Sequence, residues 1–149
     1  MRKIKDTISG DRVLLIGHSG GGAAAYQAAK MLYEEDGRKD IRIVQIGAPK
    51  TPIDPMLQER VSYFHSIDCD GRMNDPITRI GTWGGWSRSS YSIPRWNRMK
   101  YAPGYVEGIS TVGGHADYFR HTEPFRDKEA VCNLDKTIGR VCEWLKGWS

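Results

Sequence analysis

Residues 13–30 read VLLIGHSGGGAAAYQAAK, and the reading of that stretch decides the fold of the whole chain. Its first part belongs to RVLLIG at 12–17, a continuous apolar run closed by glycine, the pattern of a strand buried on both faces. Its second part is helical. Ala23, Ala24, Ala25, Ala28 and Ala29 are strong helix formers with little bulk, so a helix axis can lie close against a sheet, and the glycine of EEDGRKD ends it. Between them, Gly17, His18, Ser19, Gly20 and Gly21 match G-x-S-x-G, a turn that needs a strand before it and a helix after it. The turn holds its serine in a strained backbone conformation, so Gly17 and Gly21 are expected to lack side chains where strand and helix converge. Ser19 Oγ then stands above the carboxyl end of the sheet, where open α/β sheets place their active sites. The Gly20 N–H, at the positive end of the helix, faces a developing oxyanion.

A phosphate-binding loop is the competing reading of the same glycines. It fails because neither G-K-[ST] nor G-x-G-x-x-G is present.

Working outward, IRIVQIGAP at 41–49 reads as a strand stopped by Gly47 and Pro49, and TPIDPMLQER as a short or broken helix. VSYFHSI at 61–67 supplies a third strand and YVEGISTV at 105–112 a weaker fourth. From Asn133 onward, Leu134, Ile138, Val141 and Leu145 recur at helical spacing and predict one apolar stripe packed on the body. Strand and helix alternate as in an α/β layer with a mainly parallel sheet, and a single domain over 1–149 is expected. Residues 72–104 show neither period. A loop that long is expected to be a lid or a wall of the substrate site, its aromatics packing an acyl chain; the plainer alternative is that its tryptophans pack the loop onto the body and its arginines are solvated.

Composition agrees with a globule: of 149 residues, 39% are hydrophobic and 27% charged, with a net charge of +4. No apolar run approaches the roughly 20 residues of a membrane span, and MRKIKDTISGD is charged where a signal peptide is apolar. A cytoplasmic protein is expected. Three cysteines without a C-x-x-C pair suit neither a disulfide framework nor a zinc knuckle, and all three are expected to be buried thiols. No metal or cofactor is called for; DCDG lacks the rest of a calcium loop.

A serine hydroxyl needs a base, and the base needs an orienting acid. His18 lies inside the turn with its side chain expected to point away from Ser19, and His65 falls within a strand. His115, in the glycine-flexible GGHADYF after the last strand, is the candidate base, with His121 as the weaker choice. Asp68, Asp70 and Asp75 all follow the third strand and can all reach. Asp68 is nearest the strand end, whereas the Pro76-Ile77 pair can fix the loop of Asp75.

Ser19 in GHSGG, the aspartate of NDPITRIG and His115 in GGHADYF, in that order, resemble the α/β-hydrolase family, and within it the class 3 lipases. IGAPK is similar to the family's GSP-like strand end, Asp75-Pro76-Ile77 to its D-x-V-P-like acid segment, and HADYF to the Tyr and Phe that follow its histidine. The resemblance covers roughly residues 10–120. It implies a three-layer fold and a serine esterase or lipase that works through an acyl-enzyme on a small-molecule or lipid ester. Ser19 is then the nucleophile, His115 the base, Asp75 the acid and the Gly20 N–H the oxyanion donor.

The family builds several strands before its nucleophile strand, with a second oxyanion donor in a loop there; about ten residues stand in that place here. The fold is accordingly expected to lack its N-terminal strands and to leave the strand at 12–17 as an open edge, covered by a missing N-terminal segment or an oligomer partner. Trp83, Trp86, Tyr91, Trp96, Tyr101 and Tyr105 interleave with arginines, as in a single-stranded nucleic-acid platform. No RNA-binding signature accompanies them, and no nucleic-acid partner is expected.

Overall fold

The computed structural model describes residue 10 and residues 12–148. In chain order the elements are β1 (Arg12–His18), α1 (Gly20–Asp36), β2 (Asp40–Ile46), β3 (Val61–Ile67), β4 (Gly85–Arg88), β5 (Pro94–Asn97), β6 (Tyr105–Ser110) and α2 (Asn133–Leu145). The expected strands and both long helices are present, within a few residues at their ends. Gly37 ends α1 in the left-handed conformation, its N–H bonded to the Leu32 carbonyl. TPIDPMLQER is a turn closed by a 3₁₀ turn at Gln58–Arg60.

The main sheet runs β1-β2-β3-β6, all parallel, so the architecture is α/β with a helix on each face. Side chains alternate across a strand. On β2, Ile41 and Ile43 join Val13, Tyr26, Ala29 and Leu32 in the layer beneath α1. Val44 and Ile46 face the other way, into a layer with Phe64, Ile109, Tyr118 and Val141 of α2. Of the alanines of α1, Ala29 is fully buried against the sheet and Ala25 packs beside it, whereas Ala24 is exposed.

Two expectations about burial fail, for different reasons. β1 is not buried on both faces: Leu14 is 38% and Ile16 52% exposed, because β1 is the edge strand and pairs with β2 alone among the described residues. Its inner face, with Val13, packs under α1 as expected. On α2 the buried line is Asn133, Thr137 and Val141, whereas Ile138 is exposed. Val141 and Leu145 pack on the body as the spacing predicts, whereas the inward positions beside Leu134 and Ile138 are taken by the polar Asn133 and Thr137.

The cysteine expectation also fails in part. Cys132 is buried, but Cys69 and Cys142 are exposed, the first in a turn and the second on the outer side of α2. Residues 72–104 are not without structure of their own. They hold a 3₁₀ turn at Pro76–Arg79 and an antiparallel hairpin, β4 with β5. Trp83 alone of their tryptophans is buried, in edge-to-face contact with Tyr63 at 4.8 Å. Trp86 and Trp96 stand exposed on the hairpin instead of holding it to the body.

Candidate active site

Ser19 sits between β1 and α1 at φ 57°, ψ −133°, a region that non-glycine residues avoid at a cost of about 1–3 kcal/mol. Two backbone bonds hold it there: its N–H donates to the Ile46 carbonyl at 3.0 Å, and its carbonyl accepts from the Gly22 N–H at 3.0 Å. A Cβ on Gly17 would overlap the Gly21 carbonyl, so no side chain fits at 17. Gly21 itself faces open space. The second forced glycine is Gly22, where a Cβ would come within 2.6 Å of the Ala48 Cβ, so the crowding expected at Gly21 falls one residue later. The reason is that position 22 turns toward β2, where the buried Gln45 amide also donates to the Gly22 carbonyl at 3.0 Å.

Ser19, His115 and Asp75 form one hydrogen-bonded chain. His115 Nε2 is 2.9 Å from Ser19 Oγ, and His115 Nδ1 is 2.9 Å from Asp75 Oδ2. A carboxylate can only accept, so Nδ1 carries the ring proton and Nε2 is left to accept from the serine hydroxyl. Asp68 is used differently, its Oδ1 accepting the N–H groups of Asp70 and Arg72 within a turn, and Asp70 pairs with Arg72 on the surface. His121 is exposed, its carbonyl bound by Arg126.

Asp75 is fully buried, and burying a carboxylate is costly unless donors surround it. Three do so. Besides His115, the Tyr118 hydroxyl donates to Oδ2 at 2.8 Å and the Ile77 N–H to Oδ1 at 2.9 Å. Burial first, then the hydrogen bond and charge of Asp75, hold the Tyr118 hydroxyl far above the ordinary phenol range, so it remains a donor. It also accepts from the Ser66 N–H at 2.8 Å, which ties the acid to β3. Gly47, at φ 56°, completes the enclosure, since a Cβ there would lie 2.8 Å from Asp75 Oδ2 and 2.7 Å from the Tyr118 ring. The sequence marks Gly47 as a strand stop; its closeness to the acid is the stronger reason for glycine.

The loop carrying His115 is pinned by α2. Asn133, fully buried, donates to the carbonyls of Val112 and Asp117 at 2.7 and 2.9 Å and accepts from the Val112 N–H at 2.9 Å. One turn on, Thr137 donates to the Tyr118 carbonyl at 2.9 Å. Gly114 N–H caps on Asp117 at 2.9 Å.

His18 does not turn away from the site. As the last residue of β1 on the face opposite Gly17, it stacks on the His115 ring with centroids 4.9 Å apart, and its Nε2 lies 3.0 Å from the His115 carbonyl. The alternation of the strand carries that signal, because one residue beyond Gly17 must face the α2 side, from which the loop after β6 arrives. Tyr118 was visible only as a neighbour of His115 in HADYF, and Asn133 and Thr137 only as polar residues interrupting a helix stripe.

Gly20 is the first residue of α1, so its N–H has no acceptor within the helix and lies beside Ser19. Among the described residues no group of His, Cys, Asp and Glu is arranged to hold a metal ion. An open recess of about 850 Å³ lies past the carboxyl ends of β3 and β6, but none of Ser19, Asp75 and His115 lines it. Two of its cations are paired, Lys136 with Asp127 of the same lining at 2.7 Å and Arg140 with Glu107 of β6 at 3.3 Å. No helix of the described residues is long and apolar enough to cross a membrane.

Compared with protein-family models, with curated proteins and with solved structures, the chain finds no match.

Proposed function

We propose that this protein is a serine hydrolase of carboxylic esters, built on an α/β-hydrolase-like frame of the class 3 lipase kind. One observation carries the reading: an unbroken serine, imidazole and carboxylate chain with both links at 2.9 Å, its serine held at φ 57° on a strand-to-helix corner. Strain of that sort persists only where the surrounding structure imposes it, and it clusters at active sites.

In this reading Ser19 Oγ attacks the ester carbonyl carbon as its proton passes to His115 Nε2. Asp75 keeps the imidazole in the required tautomer and stabilises the imidazolium that forms. The carbonyl oxygen becomes an oxyanion facing the Gly20 N–H, a donor worth about 100- to 1000-fold in turnover. The C–O bond then breaks, the alcohol leaves with the proton from His115, and Ser19 is acylated. Water, deprotonated by the same imidazole, attacks the acyl carbon and releases the acid. His18 is a positioning residue, holding the His115 backbone and ring from behind.

Hydrolysis of a soluble short-chain ester tests this. The wild-type protein is expected to turn it over, and Ser19→Ala to lower the rate by about 10,000-fold or more with folding intact. A well-folded wild type with no turnover above background contradicts it.

The edge of β1, unpaired on one side among the described residues and with Leu14 and Ile16 exposed beside it, favours a second reading: a catalytically silent hydrolase-like module that assembles through that edge. It predicts a stable oligomer, and a monomer by sedimentation counts against it.

A further inference from the structure

The hairpin of β4 and β5 takes no part in the Ser19 site, and its surface is unlike the rest of the molecule. Trp86 pairs with Trp96 and Arg88 with Pro94 across the strands, and the connecting turn carries Tyr91 and Ile93. Trp86 is 65%, Tyr91 87% and Ile93 62% exposed. A two-stranded hairpin gains little stability from its own contacts, and exposed apolar side chains grouped in this way mark an interaction surface. The base of the hairpin, in contrast, is fixed. Trp83 is buried on Tyr63, the Tyr101 N–H donates to the Trp83 carbonyl at 2.8 Å, and a Cβ on Gly85 would meet the Tyr101 ring.

The charge of the segment is one-signed. Between Asp75 and Glu107 stand Arg79, Arg88, Arg95, Arg98 and Lys100 with no carboxylate among them. Arg88, Arg95 and Arg98 enter no ion pair among the described residues. Arg95 and Arg98, with Ser87, Trp96 and Asn97, line a shallow open recess of about 440 Å³.

We propose that residues 85–97 dock this protein on an anionic phospholipid surface. Indole and phenol rings are amphipathic and settle at the boundary of headgroup and acyl chain, with Ile93 at the tip entering the apolar side. The unpaired guanidiniums then meet lipid phosphates, which they can bind through two N–H groups at once. A second copy of the chain is disfavoured as the occupant, because it would bring the same cations face to face. Single-stranded nucleic acid is disfavoured as well. Trp86 and Trp96 pack edge to face, centroids 5.5 Å apart at 75°, which leaves no pair of parallel faces for successive bases, and an aliphatic tip does nothing for stacking. The base of the hairpin is tied toward both ends of the sheet: Trp83 packs on Tyr63, whose hydroxyl donates to the Ala48 carbonyl next to Gly47, and the Lys100 and Ala102 carbonyls accept from the side-chain amide of Gln58, just before β3, at 3.0 and 2.8 Å. On the hydrolase reading, docking brings the protein to a surface that carries esters; the docking itself does not depend on that reading.

The test uses the full chain carrying Ser19→Ala, so that turnover plays no part. Vesicles of phosphatidylcholine alone, and of phosphatidylcholine and phosphatidylglycerol in equal parts, are sedimented with it, and quenching of its tryptophans by brominated acyl chains is followed. The protein is expected to sediment with the anionic vesicles, to be quenched by them, and to be released as salt is raised. Tyr91→Ser with Ile93→Ser, and separately Arg88→Glu with Arg95→Glu, are expected to weaken binding at least about tenfold while the thermal midpoint stays unchanged. Equal sedimentation with both vesicle types, none with either, or full binding by both double variants overturns the proposal. So does displacement of the vesicles by a single-stranded oligonucleotide, or a dimer that the tip variant dissociates. Wild type that hydrolyses a soluble ester yet ignores vesicles overturns the docking alone; a vesicle-bound wild type without turnover overturns the hydrolase reading alone.

Discussion

The loop after β3 and the hairpin that follows it are neighbours in sequence, and they treat their side chains in opposite ways. The loop takes a carboxylate out of water and surrounds it with donors from Tyr118, His115 and the Ile77 backbone. The hairpin leaves two indoles, a phenol and an isoleucine in water and gives its arginines no carboxylate. Burying a polar group with all its partners fixes a position, because every alternative arrangement strands a donor or an acceptor. Exposing apolar groups on a hairpin fixes nothing internally and leaves their free energy to be recovered against something else. On the proposed readings, the first holds the carboxylate that orients the base, and the second meets a lipid surface.

That contrast can be broken at graded points. The largest effect is expected at Asp75→Asn, where His115 loses the acceptor that sets its tautomer: ester turnover should fall by about 10,000-fold, read as kcat/KM on a soluble substrate. Tyr118→Phe should cost about 1–3 kcal/mol in chemical denaturation, since it removes one donor from the buried acid and strands the Ser66 N–H. A hairpin substitution of similar size, Tyr91→Ser with Ile93→Ser, should change the same denaturation curve by no more than about 0.5 kcal/mol. If the hairpin pair costs as much as Tyr118, the two regions are not built on different principles.

A further effect, seen only as the pH falls, belongs to His65. Its Nδ1 is buried without a partner, and burial first, then the nearby Lys50, lower its affinity for protons. The unfolded chain, with an ordinary imidazole near 6.5, takes up a proton before the folded one does, so stability is full above about pH 6.5 and falls as the pH drops toward the folded value. The slope contributed is at most one proton's worth, about 1.4 kcal/mol per pH unit, and His65→Asn should flatten the denaturation-versus-pH curve by that component.

Much of this was readable from residue order. The apolar run, the glycine turn and the alanine-rich stretch announce β1, the corner and α1, and the acid and histidine fall in loops at the same end of a parallel sheet. What sequence could not rank was Asp68 against Asp75, because both follow β3; the choice is made by Tyr118, Ile77 and the space left by Gly47. Nor could a helix period foresee Asn133 and Thr137 facing inward, since their partners are loop carbonyls distant in the chain. The edge position of β1 reached the surface as half-exposed Leu14 and Ile16, which an apolar run by itself cannot distinguish from a central strand. The turn by itself does not show that His18 faces the site, because its partner there is the His115 ring, which arrives from the loop after β6.

The most direct measurement is covalent labelling by a fluorophosphonate, which reacts only with a serine whose hydroxyl is activated by a base. The account predicts a single adduct, mapped by peptide mass to Ser19 and abolished by His115→Ala. Folded protein that stays unlabelled beside a labelled control hydrolase, or an adduct on any other residue, would contradict it.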